Sequence, residues 1–319
     1  MRRALAVASL FALAACGSGT TTGADGGVAD LATVASPDLT PTSTAGPNDI
    51  DTTLTPFTLQ PTDELIKCQY FPADGIEREL SAFNTDMSAG SHHLVVFRID
   101  ETKGKPTGYV GTELQTCSQI EIPAGFDGML PGSQQEHTAF NLPTGVAMRM
   151  TRTHGLLFQM HYINATQQPI TTSVHWTAKS VDPASVKAQA GMIFYSNFQL
   201  NIPTGTSTAT ATCPSPTDRN LMTATGHMHV HGTQFDATVA GQNVFHTTLW
   251  SEPNGNVFAQ PGFAVKKGDP ISWTCAYNNQ TGGPLKFGNS ATKNEMCIFV
   301  SLFYPAATPA QEFDFGCAL

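Results

Sequence analysis

Gly155-Leu156-Leu157-Phe158-Gln159-Met160-His161-Tyr162-Ile163-Asn164 is the stretch on which the fold turns. Read at a period of two, Leu156, Phe158, Met160 and Tyr162 share one face, and Leu157, Gln159, His161 and Ile163 share the other. The first face is wholly apolar or aromatic. The second sets Gln159 and His161 side by side. This is a β-strand with a buried face, and the pattern recurs outward from it. Strands are predicted at 92–99, 156–163, 191–200, 235–239, 271–277 and 297–304, each bounded by Gly, Pro, Asn or Ser clusters. No long stretch has a 3.6-residue period. Charged residues make up only 13% of the chain, and 28 Gly and 21 Pro punctuate it. An all-β protein of sandwich or jelly-roll type follows.

Polar Lys179–Gln189 interrupts the strand pattern and is a natural junction between two domains, 48–182 and 183–319. Ahead of them lies a different kind of sequence. Arg2 and Arg3 precede an apolar run, Ala4 to Ala15, too short to span a bilayer comfortably and of the length of a signal-peptide core. It ends Leu13-Ala14-Ala15-Cys16, which looks like a bacterial lipobox. The reading is a leader over 1–15, lipidation at Cys16 and a tether over 16–47. Gly17 to Pro47 holds no Lys, Arg or aromatic residue and cannot bury enough apolar surface to offset its ordering entropy. The expected place is the cell envelope, with the lipid as the membrane contact. Loss of Arg2 and Arg3 makes a formal net charge of −9 more negative still, which argues against a nucleic-acid partner.

Besides Cys16 there are six cysteines: Cys68, Cys117, Cys213, Cys275, Cys297 and Cys317. An even number in an oxidising compartment reads as disulfides, with the pairing left open by spacing. No CxxC pair occurs, which disfavours a thiolate zinc site.

The histidines carry the chemistry. His92-His93 opens the run Leu94-Val95-Val96-Phe97 after Gly90. Neighbours in a regular strand point to opposite faces, so both rings reach one metal only if the backbone is irregular there, which Gly90 permits. His161 lies on the polar face of its strand. In Gly226-His227-Met228-His229-Val230-His231-Gly232, alternation puts His227, His229 and His231 on one face, and an i, i+2 pair of imidazoles is a two-point chelate. Met296, in Asn294-Glu295-Met296-Cys297, adds a thioether, a soft donor that favours Cu(I).

In that order, Ser91-His92-His93-Leu94-Val95-Val96-Phe97, Gln159-Met160-His161-Tyr162, His227-Met228-His229 and Asn294-Glu295-Met296-Cys297 resemble the copper type II, ascorbate-dependent monooxygenases. That family includes dopamine β-monooxygenase and peptidylglycine α-hydroxylating monooxygenase. The resemblance spans roughly residues 60–319, the ordered strand region rather than the low-complexity lead. It implies two tandem jelly-roll-like β-sandwich domains with one copper each. His92, His93 and His161 would form an electron-storing site; His227, His229 and Met296 would form the catalytic, O₂-activating site. The two would face each other across a solvent-filled cleft. It implies hydroxylation of a C–H bond of a small substrate by O₂, with ascorbate or another one-electron donor. It also implies the pairings Cys68–Cys117, Cys275–Cys297 and Cys213–Cys317. Three imidazoles suit both copper oxidation states, and two imidazoles with a weak thioether leave a position for O₂.

Two positions depart from the peptide-amidating branch: Thr225 stands where that branch has an arginine, and Val300 where it has a tyrosine. His231 matches no ligand of the family, and His137, His154, His175 and His246 lack a motif. Three rivals remain: a copper carrier without turnover, a zinc hydrolase, which would need a carboxylate base near the metal, and a surface β-sandwich.

Overall fold

The computed structural model describes residues 48–316 apart from 110, 118–121 and 252. The leader, Cys16, the tether and Cys317 lie outside the described residues. The chain is all-β: strands with two short 3₁₀ turns, Pro183–Ser185 and Pro309–Gln311, and no α-helix among the described residues. No helix among them is long and apolar enough to cross a membrane.

The diagnostic stretch forms the strand His154–Ile163. It is the centre of a five-stranded sheet, between Glu64–Phe71 and Ser91–Asp100, with Gln115–Thr116 and Phe126–Ser133 at the edges. A four-stranded sheet in the second half runs Gly205–Pro214, Pro270–Asn279, Gly232–Val239, Gln242–Thr247. A twelve-stranded sheet belongs to both halves. It becomes continuous where Val146–Met150 pairs in parallel with Ala188–Ser196, at Val146↔Ala188 and Ala147↔Gln189. The described residues form one compact unit with two hydrophobic cores. The predicted junction is a short connection: Lys179 to Val181 complete the strand Val174–Val181, and Asp182 caps the turn Pro183–Ser185 through Ala184 N–H at 2.9 Å.

Each core is built round a fully buried tryptophan. Trp176 packs edge-on against Phe158 of the opposite sheet, centroids 5.4 Å apart, and donates its indole N–H to Pro131 O at 2.9 Å. Trp273 lies 5.8 Å from Tyr195 and donates to Cys297 O at 3.1 Å. The indoles thus bury their rings without stranding a donor; each such side chain contributes about 1.5–3 kcal/mol by leaving water. Cys68–Cys117 and Cys275–Cys297 are bonded. Cys213 is disulfide-bonded too.

Two predicted strand bounds fail. The strand from Gly191 stops at Ser196 rather than Leu200, because Asn197 Oδ1 accepts the Gln199 N–H at 3.1 Å and turns the chain. The strand carrying His227 stops at that residue.

Candidate metal centre

The strands Ser91–Asp100 and His154–Ile163 run antiparallel with His93 opposite His161 and Ser91 opposite Tyr162. His92 is therefore an extra residue in a bulge. The bulge breaks the alternation that would otherwise send His92 and His93 to opposite faces. Gly90 makes the entry possible: its φ is +87°, and a Cβ there would meet Ile170 Cδ1 at 2.6 Å. The rings of His92 and His93 lie 5.1 Å apart, and each lies 5.0 Å from His161.

In the second half, Thr223–His227 pairs with Ile298–Ala306, placing His227 opposite Ile298. Gly226 is forced by packing, since a Cβ would strike the Phe235 ring at 2.5 Å. The expected one-faced run of His227, His229 and His231 is not a strand. Beyond His227 the backbone wraps round the buried Glu295 carboxylate, which accepts the N–H of His229 at 2.9 Å, of His231 at 2.8 Å and of Met296 at 3.2 Å. A carboxylate in the path of the chain takes the donors that a neighbouring strand would have taken. Burial raises the Glu295 carboxyl to about 7, those backbone donors offsetting part of the effect. Glu295 thereby ties the His229 turn to Met296, whose carbonyl also accepts the Tyr277 hydroxyl at 2.8 Å.

The two halves meet at this point. His92 lies 4.9 Å from His227 and 5.4 Å from His229, His93 lies 5.2 Å from His227, and His227 lies 5.3 Å from His229. One nitrogen each of His92, His93 and His227 falls within 4.8 Å of the others. Donors sharing one metal sit about 3–4 Å apart. The solvent-filled cleft expected between two pockets is thus replaced by one cluster of five imidazoles. Two clasps draw the halves together. Glu64 accepts His161 Nε2–H at 3.0 Å and, from the other half, Ala291 N–H at 2.5 Å, Ser290 Oγ–H at 2.9 Å and Thr292 Oγ1–H at 3.1 Å. Gln134 accepts His227 Nδ1–H at 2.5 Å and donates to Gly226 O at 3.2 Å. Met296 is buried and, with His93 and His227, lines the inner end of a cavity of about 440 Å³.

The five rings are 0–6% exposed. Burial, then neighbouring imidazoles, depress the basicity of His92, His93 and His227 well below the usual range, and burial with His161 holds His229 at about 4. These four are neutral at pH 7, the form that binds a metal. Burial opposes ionisation of Glu64, but its bonds from His161, Ala291 and Ser290 outweigh this and hold the carboxyl at about 2. Where a ring has an anchor, it uses one nitrogen only: His161 through Glu64, His227 through Gln134, His229 through the Asn294 carbonyl at 3.2 Å. Both nitrogens of His92 and of His93, with His161 Nδ1, His227 Nε2 and His229 Nε2, are buried and have no hydrogen-bond partner among the described residues. An unsatisfied buried polar atom costs about 1–3 kcal/mol. Fixing one nitrogen and freeing the other is how histidines are held for a metal, and an imidazole–thioether set fits copper.

His231 stands apart, partly exposed, its Nε2 3.3 Å from Thr292 O. His137, His154, His175 and His246 pair with Asp86, Asp127, Asp51 and Asp236. Sequence reasoning missed four residues: Glu64, Gln134, Glu295 and Trp250, whose ring lies 5.6 Å from His92. Glu295 alone had a signal, an acid inside the quoted methionine motif.

No protein-family model matches this chain, and no curated protein does. Among solved structures it is similar to the major capsid protein P2 from bacteriophage PM2, with 10% identity over 80% of this chain and 97% of that chain and a TM-score of 0.27. A second is the structure of infectious bursal disease virus Gx strain, with 10% identity over 83% and 74% of the two chains and a TM-score of 0.17. Likenesses this slight carry no weight; the fold rests on the strand topology.

Proposed function

We propose that this protein is a copper-dependent monooxygenase of the cell envelope, lipid-anchored through Cys16. It takes a small organic substrate RH, O₂, two electrons from a donor such as ascorbate and two protons, and yields ROH and water. The observation that carries this reading is the set of buried, partnerless imidazole nitrogens, two of whose rings, His93 and His227, line the same cavity as Met296. Bound copper supplies the one-electron steps that dioxygen reduction needs.

The chain's own residues do the rest. His92, His93 and His161 would hold an electron-storing copper, and His227, His229 and Met296 would hold a second that supplies O₂ reduction, although His92 and His227 lie only 4.9 Å apart. Glu64, Gln134 and the Asn294 carbonyl fix three of the rings and leave Nδ1 of His161 and Nε2 of His227 and His229 free to bind a metal. Burial keeps the rings neutral and limits water. Zinc hydrolysis fits less well, because Glu64 and Glu295 are committed to several donors each and neither is free as a base.

A copper carrier without turnover is the second reading. The merging of five imidazoles into one cluster favours it, since a carrier needs only one site. Copper reconstitution followed by O₂ uptake with ascorbate and a substrate panel separates the two. The monooxygenase consumes O₂ in step with hydroxylated product. Bound copper without substrate-dependent uptake for any compound assigns the carrier role instead.

A further inference from the structure

The cavity beside the histidines lies between the two halves. Met192 and Phe194 line it beside their cross-strand partners Leu302 and Val300, with Ile298 from the second half and Phe83, Met129 and Phe140 from the first. Its inner end is His93, His227 and Met296. Its outer end carries Val257, 69% exposed, and His137, whose ring pairs with exposed Asp86. Among the described residues, no Lys, Arg, Asp or Glu side chain lines it.

Polar groups are present, but several are already committed. Thr223 Oγ1 accepts the Leu302 N–H at 2.9 Å, Ser133 and Thr138 bond each other at 2.6 Å, and Asn256 donates to Val244 O at 2.7 Å. Thr225 is different. It shares the cavity face of its strand with His227, two residues and so about 7 Å away. Its side chain makes no hydrogen bond among the described residues.

We infer that this cavity binds an uncharged, largely apolar molecule, a compact hydrocarbon skeleton bearing at most a hydroxyl or carbonyl. Its polar group bonds Thr225 and its C–H end lies toward His227 and Met296. The size suits such a ligand: small-molecule sites run from about 300 to 1,000 Å³. The electrostatics select it, because a charge brought here leaves water without meeting a counter-charge. As a substrate assignment this rests on the monooxygenase reading; as a binding site it does not.

The test is displacement of the neutral dye N-phenyl-1-naphthylamine from the metal-free full-length protein, followed by fluorescence. Competitors are indane, 2-indanol, 2-aminoindane and indane-2-carboxylate. Indane and 2-indanol should displace the dye at concentrations about tenfold or more below the two charged analogues. Val300→Trp, which fills the cavity, should abolish dye binding. Thr225→Val should weaken 2-indanol several-fold and leave indane unchanged. Val300→Arg should turn the preference toward the carboxylate. A melting curve of each variant excludes unfolding as the cause. Equal displacement by charged and neutral analogues, or dye binding unaltered in well-folded Val300→Trp, overturns the inference. Neutral selectivity without O₂ uptake after copper loading overturns the monooxygenase reading and leaves the binding site standing.

Discussion

The strands Ser91–Asp100 and His154–Ile163 carry a cluster of metal-ligand side chains at each end, and the two ends are built on opposite principles. At one end His154 faces Asp100 across the ladder, with Asp127 beside them, and their donor atoms lie within metal-binding distance of one another. Every contact there is taken. His154 accepts the Thr151 N–H through Nδ1 and donates through Nε2 to Asp127, both at 2.9 Å. Asp127 pairs with Lys103 and Arg98, and Asp100 accepts the N–H and hydroxyl of Thr102 and the hydroxyl of Thr153. Two cations already occupy the role a metal would have. At the other end, about seven residues and so roughly 23 Å along the strand, His93 and His161 join three more imidazoles, and among the described residues no Lys or Arg bonds to these rings. Proximity of ligand atoms does not distinguish the two clusters; uncommitted lone pairs do.

The largest effect that could break this contrast is on copper affinity. His92→Ala and His227→Ala should each weaken copper binding about a hundredfold or more, since even loss of an outer hydrogen bond to a ligand costs 10–100-fold. His154→Ala and Asp127→Asn should leave affinity unchanged. Quenching of Trp250, whose ring touches His92, gives the readout; Trp176 and Trp273 are buried in the cores. Copper lost on changing His154 would show that the partnered end is a site after all.

How much of this contrast could be read from the chain is instructive. The strands were legible because their alternation is local; His92, His93, His227 and His229 stood out as candidates because pairs and HxH spacing are local too, whereas His161 was picked out only by the resemblance. The need for an irregular backbone at His92 followed from the geometry of a strand, and a bulge supplies it. The end of the strand at His227 was not legible. It depends on Glu295, which arrives from far along the sequence to take the His229 and His231 N–H groups. Glu64 and Gln134 were invisible for the same reason: each acts across the interface between halves. The separation of two sites came from the resemblance rather than from the residues, and the clasps by Glu64 and Gln134 draw the rings of the two halves together beside the cavity.

A smaller effect sharpens the contrast through stability without metal. His154→Ala removes a buried ring whose partners stay behind, and should cost about 2–3 kcal/mol in urea unfolding at pH 7 with chelator present. His93→Leu removes a buried ring whose nitrogens make no well-formed hydrogen bond, Gln159 being the one polar neighbour that favours its charged form, so most of its desolvation penalty disappears with it. It should leave the metal-free protein as stable or more stable, while losing the stabilisation that copper gives the parent. A cost as large as that of His154→Ala would mean that the His93 nitrogens are satisfied in the folded protein.

The smallest effect lies in acid, at the Asp127 carboxylate of the partnered end. Burial raises the Asp127 carboxyl, but the bonds from His154 and Lys103 and the charge of Arg98 outweigh it and leave it at about 2. Its ordinary value is 3.8. A carboxyl whose value is lower in the folded chain contributes its full stabilisation above the unfolded value and loses it as pH falls toward the folded one. The loss therefore begins near pH 4 and runs toward pH 2. The shift sets an upper bound of about 2 kcal/mol, and the 22% exposure of Asp127 reduces it to about 1 kcal/mol. Asp127→Asn cannot titrate, so the gap in unfolding free energy between it and the parent should narrow between pH 5 and pH 3. A gap constant over that range would show that the carboxylate charge is not what His154, Lys103 and Arg98 hold in place.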